Sequence, residues 1–320
     1  PNVFAIINPN RVDDNSNYRQ LAAVGVTFLF LMYLRKKMRK LNKFKKIIEP
    51  NLLVYLDLVA LGTVCDVVEL KNYNRLFVKK GLELIHKRYH KGIANLIDNS
   101  KISSPPTSQD LGFIVGPQIN AASRIDDSSL ASKLLISNDI EQISSTSKKL
   151  YLLNEKRKLI ENIIFEDAIE QATKQSNSTF ILVYGNNWHQ GILGIIASKI
   201  SDIYYKPTVA ISFEDNIGVG SARSIGNVDL GKIILNAKQE NILISGGGHS
   251  MAAGFKINYS NLKDFKKYIS KSLSRYNKSL FERIDNFDSV ISVNNINIDL
   301  INVIEKLQPF GKGNPEPIFI

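Results

Sequence analysis

Apolar positions change their spacing along the chain, and the spacing predicts the elements. Val3–Ile7 reads as a short strand followed by a polar loop. The next apolar run, "LAAVGVTFLFLMYL" (Leu21–Leu34), has fourteen residues. That falls short of the ~20 that cross a bilayer, so it predicts the buried part of a long helix from about Tyr18 to Lys46. "LLVYLDLVALGTVCDVVEL" (Leu52–Leu70) is an apolar segment broken by Gly62 and carrying Asp66 near its end. Helical patterns follow at Asn74–Lys87 and Gln109–Val115, then a glycine-proline break in "GPQINAASR". From Ile140 to Ala172 the apolar residues Leu150, Leu153, Ile160, Ile163 and Ile164 keep helical spacing with no internal Gly or Pro, which predicts a connector between two domains.

Beyond "KQSNSTF" the period alternates. "FILVYG", "PTVAISF", "GVGSARS" and "MAAGFKI" read as strands, and "HQGILGIIASKISDIYY", "LGKIILNAK" and "NLKDFKKYISKSLSRY" as helices. Strands interleaved with helices predict a compact α/β domain. From Ser279 the tail offers a strand in "SVISVNNI", a helix in "LINVIEKL" and the loop "PFGKGNPEP" leading toward a third module.

Composition adds the class of partner. A net charge of +11 points to a polyanion, nucleic acid or a membrane surface. The run "RKKMRKLNKFKK" reads first as a solvated helix end favoured by the helix dipole, with a phosphate-backbone contact as the alternative. One cysteine, Cys65, excludes a disulfide framework and a cysteine-rich zinc site, so a reducing cytoplasm is the default. No signal peptide is visible. Pro1 in place of methionine and the apolar end "PIFI" lead us to expect a piece of something longer.

The candidate chemistry concentrates in a few stretches. "ISGGGHSMAAGF" (residues 244–255) sets Gly246, Gly247 and Gly248 before His249. Glycines open positive φ and let main-chain N–H groups approach a ligand, so the stretch predicts an anion-binding turn with a histidine donor beside it. Ser221 and Arg223, two apart on a predicted strand, share one face, where a hydroxyl beside a guanidinium suits a phosphate. Asn120 and Arg124 align at i and i+4 on a helix, a pairing that surface helices also carry without function. Asp66, in an apolar segment with Asp57 nine residues earlier, is a structural cap or a metal ligand. "NNWHQG" opens a helix whose N-terminus suits an anion, or Trp188 packs in the core and His189 caps the helix. His86 and His90 read as surface residues. No Walker or dinucleotide fingerprint is present.

Taken in order, "LDLVALGTVCDVV", "GPQINAASRIDD", "WHQGILGIIASKI", "GSARSI", "GGGHSMAAGF" and "PFGKGNPEP" resemble the RecJ family of the DHH phosphoesterase superfamily, across the whole chain. The resemblance implies an α/β fold in four parts. These are the C-terminal part of a DHH phosphoesterase domain (1–138), a connecting helix (139–175), a DHH-associated substrate-binding domain (176–278) and the start of an oligonucleotide-binding region (279–320). It implies metal-dependent 5′→3′ hydrolysis of single-stranded DNA to mononucleotides, in DNA repair and recombination. Asp66 would be a catalytic ligand for Mn²⁺ or Mg²⁺, and Asn120 and Arg124 would line the nucleotide path. Ser221 and Arg223 would bind the terminal 5′ phosphate, and Gly247, Gly248 and catalytic His249 would close over the substrate. In the connecting helix "NEKRK" places Lys158 where the family usually has glutamine.

The family's other metal ligands, in a D-x-D strand and the Asp-His-His triplet, should precede "VFAIINPN". We therefore expect a fragment, inactive alone, with a separately encoded N-terminal half as a potential partner beside single-stranded DNA and no membrane. Two other readings stay open: a catalytically dead nucleic-acid-binding or scaffold protein, and a phosphodiesterase for short oligonucleotides or cyclic dinucleotides.

Overall fold

A computed structural model describes residues 3–102, 105–226 and 228–320. Pro1, from which a longer parent was expected, lies outside them. The chain divides into two compact units, residues 1–154 with 286–320 and residues 155–285.

The first unit is helical. Its elements are α1 (Ala23–Lys40), α2 (Leu56–Cys65), α3 (Asn72–His86), α4 (Lys91–Asn99), α5 (Ser108–Asp110), α6 (Gly116–Ile125) and α7 (Ser129–Ile136), with the first half of α8 (Ile140–Thr173) and, in the tail, α12 (Ile298–Glu305). Several expectations are corrected. Val3–Ile7 is not a strand: it is irregular and exposed, and among the described residues no strand pairs with it. The helix expected over 18–46 is shorter, ending at Lys40 before a left-handed Asn42.

Gly62 does not break its segment. It lies inside α2, where a Cβ would sit 2.8 Å from Val24 of α1, so the glycine marks a close helix contact. Nor does Gly116-Pro117 break the chain. A π-turn over Leu111–Val115 leads straight into α6, and Pro117 occupies the first turn, where its missing N–H costs nothing. The strand expected in "SVISVNNI" is reduced to one bridge, Ser289 to Phe319. The "PFGKGNPEP" loop docks on the helices of its own unit. Phe310 is buried and its carbonyl accepts from Ser108 Oγ at 2.6 Å, while Lys312 O accepts from Leu70 N at 2.7 Å.

In the second unit β1 (Ile181–Asn186), α9 (Leu193–Tyr204), β2 (Thr208–Glu214), β3 (Ile217–Arg223), α10 (Leu230–Gln239), β4 (Ser245–His249), β5 (Ala252–Asn258) and α11 (Leu262–Leu273) follow the predicted alternation, with β4 as an addition. The sheet order is β1-β2-β3-β5-β4, with β1 parallel to β2 and every other pair antiparallel. One face buries Ile181, Val183 and Ala210 against α9 and the second half of α8. The other buries Val209, Ile211, Phe255 and Ile257 against α10 and α11.

Two glutamines of α8 close the outer edge of β1. Gln171 donates to Tyr184 O (2.8 Å) and accepts from Tyr184 N (3.0 Å), and Gln175 does the same with Leu182 at 2.8 and 3.3 Å. The i, i+4 spacing on the helix matches the i, i+2 spacing of same-side backbone groups on the strand. Among the described residues no helix is long and apolar enough to cross a membrane.

Cys65, at the end of α2, is partly buried, its Sγ 3.8 Å from Leu111 O. Burial pushes the thiol up to about 11, with the nearby Asp66 charge adding to it. Since the thiolate is the reactive form, iodoacetamide at pH 8 is expected to alkylate the folded chain far more slowly than the chain unfolded in urea. Equal rates would show the thiol to be open.

Candidate functional site

The triple glycine is an edge strand, not a turn, and none of its residues has positive φ. Each glycine answers a different need. At Gly246 a Cβ would press on Ile234 at 2.9 Å and Phe255 at 3.3 Å, and at Gly248 it would strike Ala252 O at 2.3 Å. At Gly247 it would meet nothing within 4 Å, and its partner Gly254 is nearly as open, with only Gly220 O at 3.9 Å. These two opposed glycines leave a bare stretch of sheet where a side chain would otherwise stand.

The register sets polar groups around that floor. Arg223 is opposite Ala252, and Ala252 is opposite His249, so all three lie on one face in one row. Two strand spacings put the Arg223 and His249 Cα atoms roughly 10 Å apart. Ser221 sits in the next row with Gly254 and Gly247. His249 is exposed, and its Nδ1 accepts from Met251 N at 3.3 Å, which turns Nε2 outward.

Arg223 is fixed rather than waving. Its Nε donates to Ser198 Oγ of α9 at 3.1 Å and its Nη1 to Ala222 O at 3.0 Å. A methyl on Gly194, in the first turn of α9, would lie 2.8 Å from Arg223 Nη2 and 3.3 Å from Ser221 Oγ. The guanidinium and hydroxyl therefore crowd a helix N-terminus whose first turn has no acidic side chain and whose N-cap makes no side-chain bond. The helix dipole and a guanidinium beside a hydroxyl converge there as a phosphate requires.

Ser198 and Gly194 escaped the sequence reading; the helical spacing of the "HQGILGIIASK" stretch was visible, but the strand it faced was not. Lys256 escaped as well: an exposed cation two residues along β5 from Gly254, and so on the same face. Trp188 is buried and His189 Nδ1 accepts from Gly191 N at 3.2 Å, so that stretch packs and caps.

Asp66, Asn120 and Arg124 belong to the first unit. Asp66 holds the C-cap position of α2, with its carboxylate exposed beside a cavity of about 460 Å³ that Asn8, Asn10 and Thr27 also line. A hard divalent cation takes six or more oxygens. Among the described residues no group of three His, Cys, Asp or Glu side chains gathers to hold one, so Asp66 fits one corner of such a site and not the whole. Asn120 is exposed and Arg124 half-buried on α6. The aspartates after them are engaged locally. Lys149 hydrogen-bonds Asp126 at 3.0 Å and holds its carboxyl below the usual range; Asp127 takes Ser129 Oγ and N at 2.7 and 2.8 Å. On α8, Lys158 pairs with Glu155 at 2.8 Å.

His90 corrects the sequence reading of a surface residue. Its Nδ1 hydrogen-bonds the fully buried Asp57 carboxylate, 33 positions away, a separation that local spacing could not bridge.

The DHHA1 domain family matches residues 177–275, the span that carries this glycine-floored face. The RecJ OB domain family matches residues 287–320. Over its whole length the chain is a homologue of the single-stranded-DNA-specific exonuclease RecJ. It is 34% identical to RecJ of Haemophilus influenzae and 32% identical to RecJ of Escherichia coli, with all of this chain aligned in each case. It spans 57% and 58% of those relatives. The crystal structure of RecJ from Thermus thermophilus in complex with Mg²⁺ superposes with a TM-score of 0.77 at 27% identity, covering 86% of this chain and 43% of that one. A manganese-bound RecJ structure superposes with a TM-score of 0.63 at 26% identity, covering 75% and 60%.

Proposed function

We propose that this chain is the substrate-gripping portion of a RecJ-type 5′→3′ single-stranded-DNA exonuclease, acting in DNA repair and recombination. The observation that carries the reading is the clamp formed by Arg223, Ser221 and the α9 N-terminus at the rim of the Gly247–Gly254 floor. A terminal 5′ phosphate fits the clamp. The sugar-phosphate backbone runs over the floor, where bare glycine lets it approach the sheet, and His249 donates to an oxygen of the next phosphate. In the helical portion Asn120 and Arg124 line the strand's path, and Asp66 contributes one ligand to a Mg²⁺ or Mn²⁺ site of the kind RecJ relatives hold. We assign 1–138 to a partial phosphoesterase domain, 139–175 to the connecting helix, 176–278 to the substrate-binding domain and 279–320 to the start of the oligonucleotide-binding region. Because Asp66 is a single ligand, these 320 residues alone are expected to bind strands without cutting them.

The test is mononucleotide release from a 5′-phosphorylated single strand with Mn²⁺, set beside binding of the same strand. The expected result is binding that favours the 5′-phosphorylated over the 5′-hydroxyl strand, with no release. Release that Asp66→Ala abolishes would overturn the claim of an incomplete metal site, and equal binding of the two strands would overturn the phosphate clamp.

A further inference from the structure

His90 and Asp57 leave a built site unassigned. The Asp57 carboxylate is buried, anchored by Leu58 N at 2.7 Å and by His90 Nδ1. A buried carboxylate that holds one ring nitrogen orients the imidazole and leaves the other for a ligand. No described residue bonds Nε2, and His90 lines a cavity of about 510 Å³ together with Tyr55, Tyr89, Lys91 and Ser137. Tyr55 and Tyr89 flank the imidazole, with ring centroids 5.8 and 5.4 Å away, and both are about half exposed.

A lysine, Lys91, lines the same cavity. His90 is the N-cap of α4, a nine-residue helix with no side-chain cap and no acid in its first turn, so its leading N–H groups open beside the histidine. Lys91 and Lys87 are exposed, and of the exposed acids near in sequence Asp98 pairs with Arg88 and Glu83 with Lys80. The segment "HKRYHK" thus interleaves aromatic and basic groups over a helix N-terminus. An anion alone would not need the tyrosines, and an aromatic ligand alone would not need the cations.

We propose that this cavity is a second contact for single-stranded nucleic acid: one base stacks on Tyr89 and Tyr55 and donates an N–H to His90 Nε2, and its phosphate sits at Lys91 and the start of α4. The inference rests on the reading of the chain as a strand binder, but it engages the interior of a strand and not its end. It therefore does not depend on a 5′ phosphate.

The experiment is fluorescence anisotropy of the 320-residue chain with a 30-nucleotide oligothymidylate, 5′-phosphorylated or 5′-hydroxyl, over a salt series. Tyr89→Ala is expected to weaken both strands by the same factor, five- to tenfold, while Tyr89→Phe keeps wild-type affinity because the stacking face survives. Lys91→Ala is expected to lower the salt slope by about one. Both residues are exposed, so the fold tolerates the changes. Unchanged affinity and slope in Tyr89→Ala and Lys91→Ala, with the wild type still binding, would overturn this site alone. A wild-type chain that binds neither strand would overturn it together with the proposed function.

Discussion

Arg223→Ala is expected to remove the preference for a 5′-phosphorylated strand while leaving the 5′-hydroxyl strand bound nearly as before. The side chain enters the clamp already oriented, since Ser198 and the Ala222 carbonyl fix its plane, so little ordering entropy opposes its bonds to a phosphate. Hydrogen bonds to charged groups contribute about 1.5–3 kcal/mol each, which sets the loss at roughly ten- to a hundredfold. Gly194→Ala provides an independent check. Gly194 has ordinary helical backbone, so alanine suits α9 and the fold stays intact, yet its methyl would stand 2.8 Å from Nη2. It is expected to reduce the same preference with no loss of thermal stability. Equal losses on both strands from either substitution would mean that Arg223 acts only as a general cation.

Gly220→Ala is expected to damage the sheet. A Cβ there would lie 2.1–2.6 Å from three ring atoms of Phe255, on the neighbouring strand β5. That ring is buried and packs on Phe265 at 4.9 Å, between the sheet and α11, so it has no vacant direction in which to move. Overpacking of this kind costs about 3 kcal/mol, only partly offset by the entropy glycine no longer loses. For a unit of this size that corresponds to a fall in Tm of roughly 10 °C. The double variant Gly220→Ala with Phe255→Leu is expected to recover part of the loss, because the smaller side chain vacates the contested space. Additive losses in the thermal melt would show that the two residues do not meet.

How far the sequence could be read depended on how each element was encoded. The strands β1, β2, β3 and β5 and the helices between them carried their own apolar period, so the second unit was legible element by element. Ser245–His249 was not, because glycine contributes no hydrophobic pattern: the same three residues that predict a turn also fit an edge strand, and only their neighbours on β5 decide between them. The shared face of Ser221 and Arg223 followed from strand spacing, but placing His249 in the Arg223 row required the register through Ala252. Asp57 and His90 were each visible as titratable groups, and nothing local could join them. The resemblance brought forward roles for Asp66, Asn120 and Arg124 that neither composition nor spacing could have supplied.

The paired glutamines on α8 have a consequence for how copies of this protein meet. Sheet proteins that polymerise do so by adding strands at both ends of a sheet, each new edge serving as template for the next. Here the β1 edge is occupied by Gln171 and Gln175, whose amides take the backbone positions an incoming strand would need. Among the described residues β4, at the other end, is the edge of this sheet with no strand beyond it. Edge-to-edge association through the sheet therefore has one acceptor per molecule, and it terminates at a pair instead of propagating into a fibre.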